Sequence, residues 1–217
     1  VACRPLWIVK LGGSLADWPD LKDWVRLLSG PRAVDLAVVP GGGPFADQVR
    51  AAQQRWRFSD RIAHRMAVLA MEQYGLMLCG LSRGRLVLAD RPAAMRAALR
   101  RGLTPVWSPR AMVFADAQGA RRIAETWSVT SDSLAAWLAG AAHARRLVLV
   151  KSARPPAGAP SAVALARRGL VDARFPRYAA AGRFAVSVVW REDRAAMRRA
   201  LAAGRPAAGM AEVQLPR

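Results

Sequence analysis

Trp7-Ile-Val-Lys-Leu-Gly-Gly-Ser14 is a short apolar run closed by a lysine, two glycines and a hydroxyl. Leu6 to Val9 is too short for a helix, and the glycines that follow read as the end of a buried strand. Glycines at such a strand end let backbone N–H groups approach an anion, and Lys10 reaches the same space. The stretch predicts a first strand whose carboxyl end wraps a phosphate, with Gly12, Gly13 and Ser14 as the wrap.

The neighbouring sequence repeats the theme. Trp18-Pro19-Asp20 opens a helix with an apolar stripe at Leu21, Trp24, Val25 and Leu28, stopped by Ser29-Gly30-Pro31. Ala33 to Val39 reads as a second strand, and Gly41-Gly42-Gly43 as a second glycine turn, opening a helix from about Phe45 to Arg55. Strand, loop, helix, strand, glycine loop, helix is the pattern of a parallel sheet with crossover helices. In such sheets ligands bind beyond the carboxyl ends of the strands, where both glycine turns would lie.

Further along, Ser59-Asp60 caps a long helix, with Ile62, Met66, Leu69, Ala70, Gln73 and Met77 on one face and His64 in its first turns. Leu86 to Ala89 and Thr104 to Trp107 read as strands on either side of a helix from Ala93 to Arg101. Pro109 to Arg122 reads as an irregular excursion. Thr126 to Ser133 leads into a helix built on Leu134, Trp137, Leu138 and Ala141. A strand from Leu147 to Val150 ends at Lys151-Ser152, and Ala153 to Pro160 is a proline-rich loop. A short helix (Ser161 to Arg168), a strand (Phe184 to Trp190), a helix (Glu192 to Ala202) and an edge strand after Gly209 complete the chain. The fold expected is an α/β class three-layer α/β/α sandwich with a mainly parallel central sheet.

Composition bounds the function. An apolar fraction of 53% over 217 residues supports a full core. No apolar run approaches the ~18 residues of a membrane span, and the N-terminal run reads as strand and not as signal peptide. Cys3 and Cys79 make no disulfide framework, no Cys/His cluster has zinc spacing, and a cytoplasmic setting is expected. The net charge is +19, from 34 basic and 15 acidic residues. The aromatics do not interleave with the arginines as a nucleic-acid stacking platform requires, so a basic nucleic-acid-binding protein stands only as an alternative. Lysine occurs only at positions 10, 22 and 151, and two of these close predicted strands. A lysine is a compact charge suited to a single phosphoryl group, where arginine is a bulky fork.

Gly41-x-Gly43-x-x-Ala46 also fits a dinucleotide fingerprint. The acid at the expected distance, Asp60, starts a helix instead of ending a strand. Neither glycine stretch has the Gly-Lys-Ser/Thr ending of a P-loop.

Val9-Lys-Leu-Gly-Gly-Ser14, Val38-Val-Pro-Gly-Gly-Gly-Pro-Phe45 and Val129-Thr-Ser-Asp-Ser133, in this order and spacing, resemble the amino acid kinase family of acetylglutamate, uridylate and isopentenyl phosphate kinases. Phe58-Ser-Asp60, the His64 helix and Trp127-Ser-Val-Thr-Ser-Asp132 are similar to its small archaeal and methylotroph branch. That branch acts on an aminomethylfuran phosphate in methanofuran-type cofactor synthesis. The resemblance implies a kinase using ATP and Mg²⁺ on a small, already phosphorylated acceptor, in a homo-oligomer. It implies a single domain, with residues 1–140 as the acceptor-side lobe and 141–217 as a shortened nucleotide-side lobe. Lys10 would sit on the transferred phosphoryl group, the amides of Gly12, Gly13, Gly42 and Gly43 would cradle phosphate oxygens, and Ser14 and Gly41 would also bind phosphate or substrate. Asp132 would hold the active lysines, while Thr130 and Ser131 would meet substrate. His64 would meet the acceptor phosphate, a packed histidine being the alternative. The second half departs from the pattern. Lys151-Ser-Ala-Arg-Pro155 stands where the family has Thr/Ser-Asp-Val-Asp-Gly-hydrophobic-Tyr, and Arg168-Gly-Leu-Val-Asp172 stands near the place of Gly-Gly-Met-x-x-Lys. Lys151, with Ser152, or Arg154 is the candidate to replace the missing donor-side lysine. A family member with a decayed ATP half, binding a phosphorylated ligand or a partner, is the other reading.

Overall fold

The computed structural model describes residues 4–115 and 123–216. Among them seven strands form one sheet: β1 (Leu6–Leu11), β2 (Asp35–Pro40), β3 (Leu86–Ala89), β4 (Thr104–Trp107), β5 (Arg146–Lys151), β6 (Ala185–Trp190) and β7 (Met210–Val213). Their order is β3-β4-β2-β1-β5-β6-β7. All neighbours run parallel except β7, which is antiparallel to β6. Parallel neighbours need crossovers, and the helices supply them: α1 (Leu21–Leu28), α2 (Gly43–Trp56), α3 (Asp60–Leu81), α4 (Pro92–Arg100), α5 (Arg110–Ala115), α6 (Ser131–Ala141), α7 (Ala162–Arg167), α8 (Phe175–Ala180) and α9 (Arg194–Ala203).

The central strands are apolar on both faces because helices cover both. Ile8, Leu147, Leu149, Val186 and Val188 pack with Leu134 and Leu138 of α6, Leu165 of α7 and Phe175 of α8. Trp7, Val9, Leu11, Val148 and Val150 pack with Trp24 and Leu28 of α1 and Met197 and Leu201 of α9. This alternation positions the site. Side chains two apart on a strand share a face, so Lys10 follows Ile8, and Lys151 follows Leu147 and Leu149. Since Ile8 is opposite Leu147 and Lys10 opposite Leu149, both lysines leave the sheet on the α6 side.

Two expectations need correction. Of the residues assigned to one face of α3, Ala70 alone is buried. Ala63, His64, Val68, Ala70, Met71, Tyr74, Gly75 and Leu78 are buried, whereas Ile62 (46% exposed), Leu69 (42%) and Leu76 (57%) form an outward stripe at seven-residue spacing. Gln73 is exposed too, and Met66 and Met77 are half-buried. The physical reason is that α3 carries apolar residues on nearly every face, so period alone does not pick the core. The excursion from Pro109 begins as helix α5, and its later part, residues 116–122, lies outside the described residues. Helix α8, which the sequence pattern missed, fills the connection before β6. Cys79 is a free thiol pushed up to about 11 by burial, and Cys3 lies outside the described residues.

Candidate active site

The carboxyl ends of β1, β2 and β5 open into a cleft of about 460 Å³ bounded by both glycine loops, α3 and the first turn of α6. The two loops are back to back. A Cβ on Gly13 would lie 2.3 Å from the Gly43 nitrogen, and one on Gly41 would lie 2.2 Å from the Gly13 nitrogen. Only glycine permits that approach. Gly41 N–H is committed to the Leu11 carbonyl at 2.9 Å, and Gly41 does not line the cleft. Its expected role in binding phosphate or substrate gives way to a packing role, because the loops meet across it. Gly12, Gly13, Ser14, Gly42 and Gly43 do line the cleft. Gly43 starts α2, so the unpaired N–H groups and positive dipole end of a 14-residue helix face the same space.

Lys10, Asp132 and Lys151 converge on the cleft floor. Asp132 Oδ1 is 3.0 Å from Lys10 Nζ, and Lys151 Nζ donates to both Asp132 oxygens at 2.7 Å. All three side chains are at least nine-tenths buried. Burial by itself would raise the Asp132 carboxyl, but Lys10 and then Lys151 outweigh it and hold the group at about 2. Burial also acts on Lys151 and brings it down to about 8, with Asp132 opposing and Lys10 reinforcing the fall. A single carboxylate serves two ammonium groups, so the carboxylate is doubly compensated and the buried trio keeps a surplus positive charge. A phosphoryl group is the anion that fits such a surplus.

The first turn of α6 is fastened by Asp172, a residue the sequence pattern did not single out. Its carboxylate accepts from Thr130 N, Thr130 Oγ1 and Ser133 N at 2.9 Å each, from Ser133 Oγ, and from Arg174 N at 3.1 Å. Thr130 and Ser131, both expected to meet substrate, line the cleft, but the amide and hydroxyl of Thr130 are committed to Asp172. A signal was present in the sequence: Asp172 is the sole carboxylate between Asp132 and Glu192.

On the far wall, His64 is 2% exposed and lines the cleft beside Val68, Met71 and Leu134. Neither ring nitrogen has a hydrogen-bond partner. Burial lowers its pKa, with Glu125 opposing, which favours the neutral imidazole. Leaving such a group unpaired costs ~1–3 kcal/mol. Nearby, Trp127 donates to Gln53 Oε1 at 2.6 Å, and the Arg50 guanidinium lies 4.6 Å from the Trp127 ring centre. Arg50 and Asp47 are further lining residues that the sequence did not single out, and Trp127, which opens one of the family motifs, lines the cleft with them. Past Lys151 the cleft continues to Ser152, Ala153 and Gly169 to Val171. Arg154, the other candidate for the missing lysine, is exposed and stacks over Trp190 at 5.3 Å. The carboxylates of the cleft floor are taken by lysines and by the α6 turn. Among the described residues no group of three or more His, Cys, Asp and Glu side chains could hold a metal ion.

The sequence profile of the amino acid kinase family matches residues 5–154. The chain belongs to the amino acid kinase family. A curated relative, the [5-(aminomethyl)furan-3-yl]methyl phosphate kinase of Methanocaldococcus jannaschii, is 24% identical over 144 residues, covering 65% of this chain and 63% of that protein. The match thus spans less than two thirds of the relative's length. Among solved structures, UMP kinase from Ureaplasma parvum superposes with a TM-score of 0.68 at 12% identity, covering 97% of this chain and 96% of that one. Uridylate kinase from Archaeoglobus fulgidus gives 0.66 at 13% identity, covering 97% of this chain and 100% of that one. These structures share the amino acid kinase fold with this chain. No helix of the described residues is long and apolar enough to cross a membrane.

Proposed function

We propose that the protein transfers the γ-phosphoryl group of ATP to a small acceptor that already carries a phosphate. The observation that carries this reading is Asp132 held between two buried ammonium groups in a cleft floored by glycine amides. Phosphoryl transfer asks a protein mainly for positioning and for neutralising charge on the moving group. Lys10 sits on that group midway between donor and acceptor. Gly12, Gly13, Gly42 and Gly43 offer amides to its oxygens, and the α2 N-terminus adds its dipole. Lys151, with Ser152 beside it, supplies the donor-side charge that the family's missing lysine would give. Asp132 sets both lysines in place. The slot from Ser152 to Val171 takes the nucleoside. Mg²⁺, which keeps waters and binds through nucleotide phosphates with few protein ligands, would arrive on the nucleotide.

The acceptor phosphate is assigned to His64 and Arg50, and the acceptor ring to Trp127. An aminomethylfuran phosphate, as in methanofuran-type cofactor synthesis, fits that description and the curated relative's name. Residues 1–140 form the acceptor-side lobe and 141–217 the nucleotide-side lobe of one domain, working in a cytoplasmic setting. The outward stripe of Ile62, Leu69 and Leu76 supports a homo-oligomer built on α3.

The test is turnover of Mg·ATP with a panel of phosphate monoesters, including UMP, isopentenyl phosphate and an aminomethylfuran phosphate. Lys10→Ala is expected to lower kcat by a factor of about 10²–10³. Equal turnover in wild type and Lys10→Ala would overturn the role of Lys10. Ligand binding without turnover on every acceptor would favour a non-catalytic member of the family.

A further inference from the structure

A second cleft, of about 940 Å³, lies at the opposite end of the sheet. It is walled by residues leading into β1, β2, β3 and β4 and by the ends of α1, α3 and α4. Arg4, Lys22, Arg26, Arg32, Arg83 and Arg85 line it, against the single carboxylate of Asp35. Arginines at such a place can simply serve helix carboxyl ends, and Arg32 does so, donating to the carbonyls of Leu28 at 3.3 Å and Gly30 at 3.0 Å. The count of charges exceeds that need. Three helix ends bring about half a negative charge each, and Asp35 and the Asp23 partner of Arg26 bring one each. With Arg4 set aside because it has a partner of its own, the other five cations leave about one and a half positive charges over. Among the described residues Lys22, Arg83 and Arg85 are exposed and have no ion-pair partner. Lysine usage points the same way. In a chain that otherwise uses arginine, two of the three lysines line the active-site cleft and the third lines this one.

We infer that this cleft binds a short polyphosphate chain, inorganic or borne by a nucleotide, at a site separate from the transfer site. Charge and concavity select the ligand. No aromatic side chain lines the cleft, so it offers no stacking platform for bases, and recognition rests on the phosphates. The inference does not depend on the proposed reaction.

The experiment is calorimetric titration of inorganic tripolyphosphate without Mg²⁺ into wild type, Lys10→Ala and the triple variant Lys22→Glu/Arg83→Glu/Arg85→Glu. Two binding events per chain are expected in wild type. The triple variant should weaken one by at least about tenfold, since three exposed attractions become repulsions, and Lys10→Ala should weaken the other. Arg83→Gly is a second variant that keeps the fold safe, because Arg83 has a φ of +52° that glycine adopts freely. It should weaken the same event two- to threefold, on the order of a single exposed ion pair. ATP binding this cleft no more tightly than tripolyphosphate would support recognition of the phosphates alone. A single event abolished by Lys10→Ala, or a titration unchanged in both cleft variants, would overturn the inference. Displacement of tripolyphosphate by a short single-stranded oligonucleotide that binds more tightly would also overturn it, in favour of a nucleic-acid surface.

Discussion

Replacing Asp132 by asparagine keeps the side chain's size and leaves two buried ammonium groups without a counterion. Removing one member of a buried ion pair costs ~3–5 kcal/mol. Here the cost can be relieved, because Lys151 can release its proton. Burial already brings that lysine to about 8, and Asp132 is the main influence holding it up. A lysine whose folded pKa lies below its unfolded value binds fewer protons when folded. Stability then rises with pH between the two values, by ~1.4 kcal/mol per unit. In wild type this window runs from about 8 to the ordinary 10.5, so the contribution is complete above 10.5 and lost as pH falls through 8. In Asp132→Asn the window opens at lower pH. The variant should be ~3–5 kcal/mol less stable near pH 6, with the deficit shrinking by up to ~1.4 kcal/mol per pH unit until pH 8. Urea unfolding between pH 5.5 and 9 measures this. A deficit independent of pH, or one below ~1 kcal/mol throughout, would refute the idea of one carboxylate shared by two ammonium groups.

Asp172→Ala unfastens the first turn of α6 and should cost ~2 kcal/mol, a lost cap plus stranded donors. It should also lower kcat with little change in acceptor KM; unchanged turnover would show that Asp132 needs no such support. His64→Leu removes two unsatisfied buried nitrogens and should raise stability by ~1 kcal/mol, while raising KM for the acceptor and not for ATP. Greater stability with an unaltered acceptor KM would make His64 a packing residue. Gly13→Ala places a methyl 2.3 Å from Gly43 nitrogen. Thermal unfolding should report a loss of ~1–3 kcal/mol, and a variant as stable as wild type would contradict the back-to-back loops.

Much of the central sheet was legible because its strands are short apolar runs closed by glycine, lysine or proline. That Asp132 stands beside Lys10 and Lys151 followed from the family resemblance and not from the strand pattern. Asp172 was not legible, since its partners are about forty residues away and only chain closure through α7 brings them together. The register of α3 was not legible either, because alanine, methionine and leucine on all its faces give no contrast between core and surface. Gly41 was misassigned because a sequence does not say which of three adjacent glycines faces a ligand and which faces another loop.

Lys10 and Lys151 issue from adjacent strands whose spacing is set by the hydrogen-bonded ladder between β1 and β5. The points from which the two side chains start are therefore fixed by the backbone, and their shared contact with Asp132 sets where the two charges meet. The residues assigned to the acceptor, by contrast, sit on α2, α3 and the connection before α6, outside that ladder. Such an arrangement separates an invariant tool from an interchangeable holder. Substitutions at His64, Arg50 or Trp127 can retune what is held without moving the charges that act on it, which makes acceptor choice the part of this protein most open to redesign.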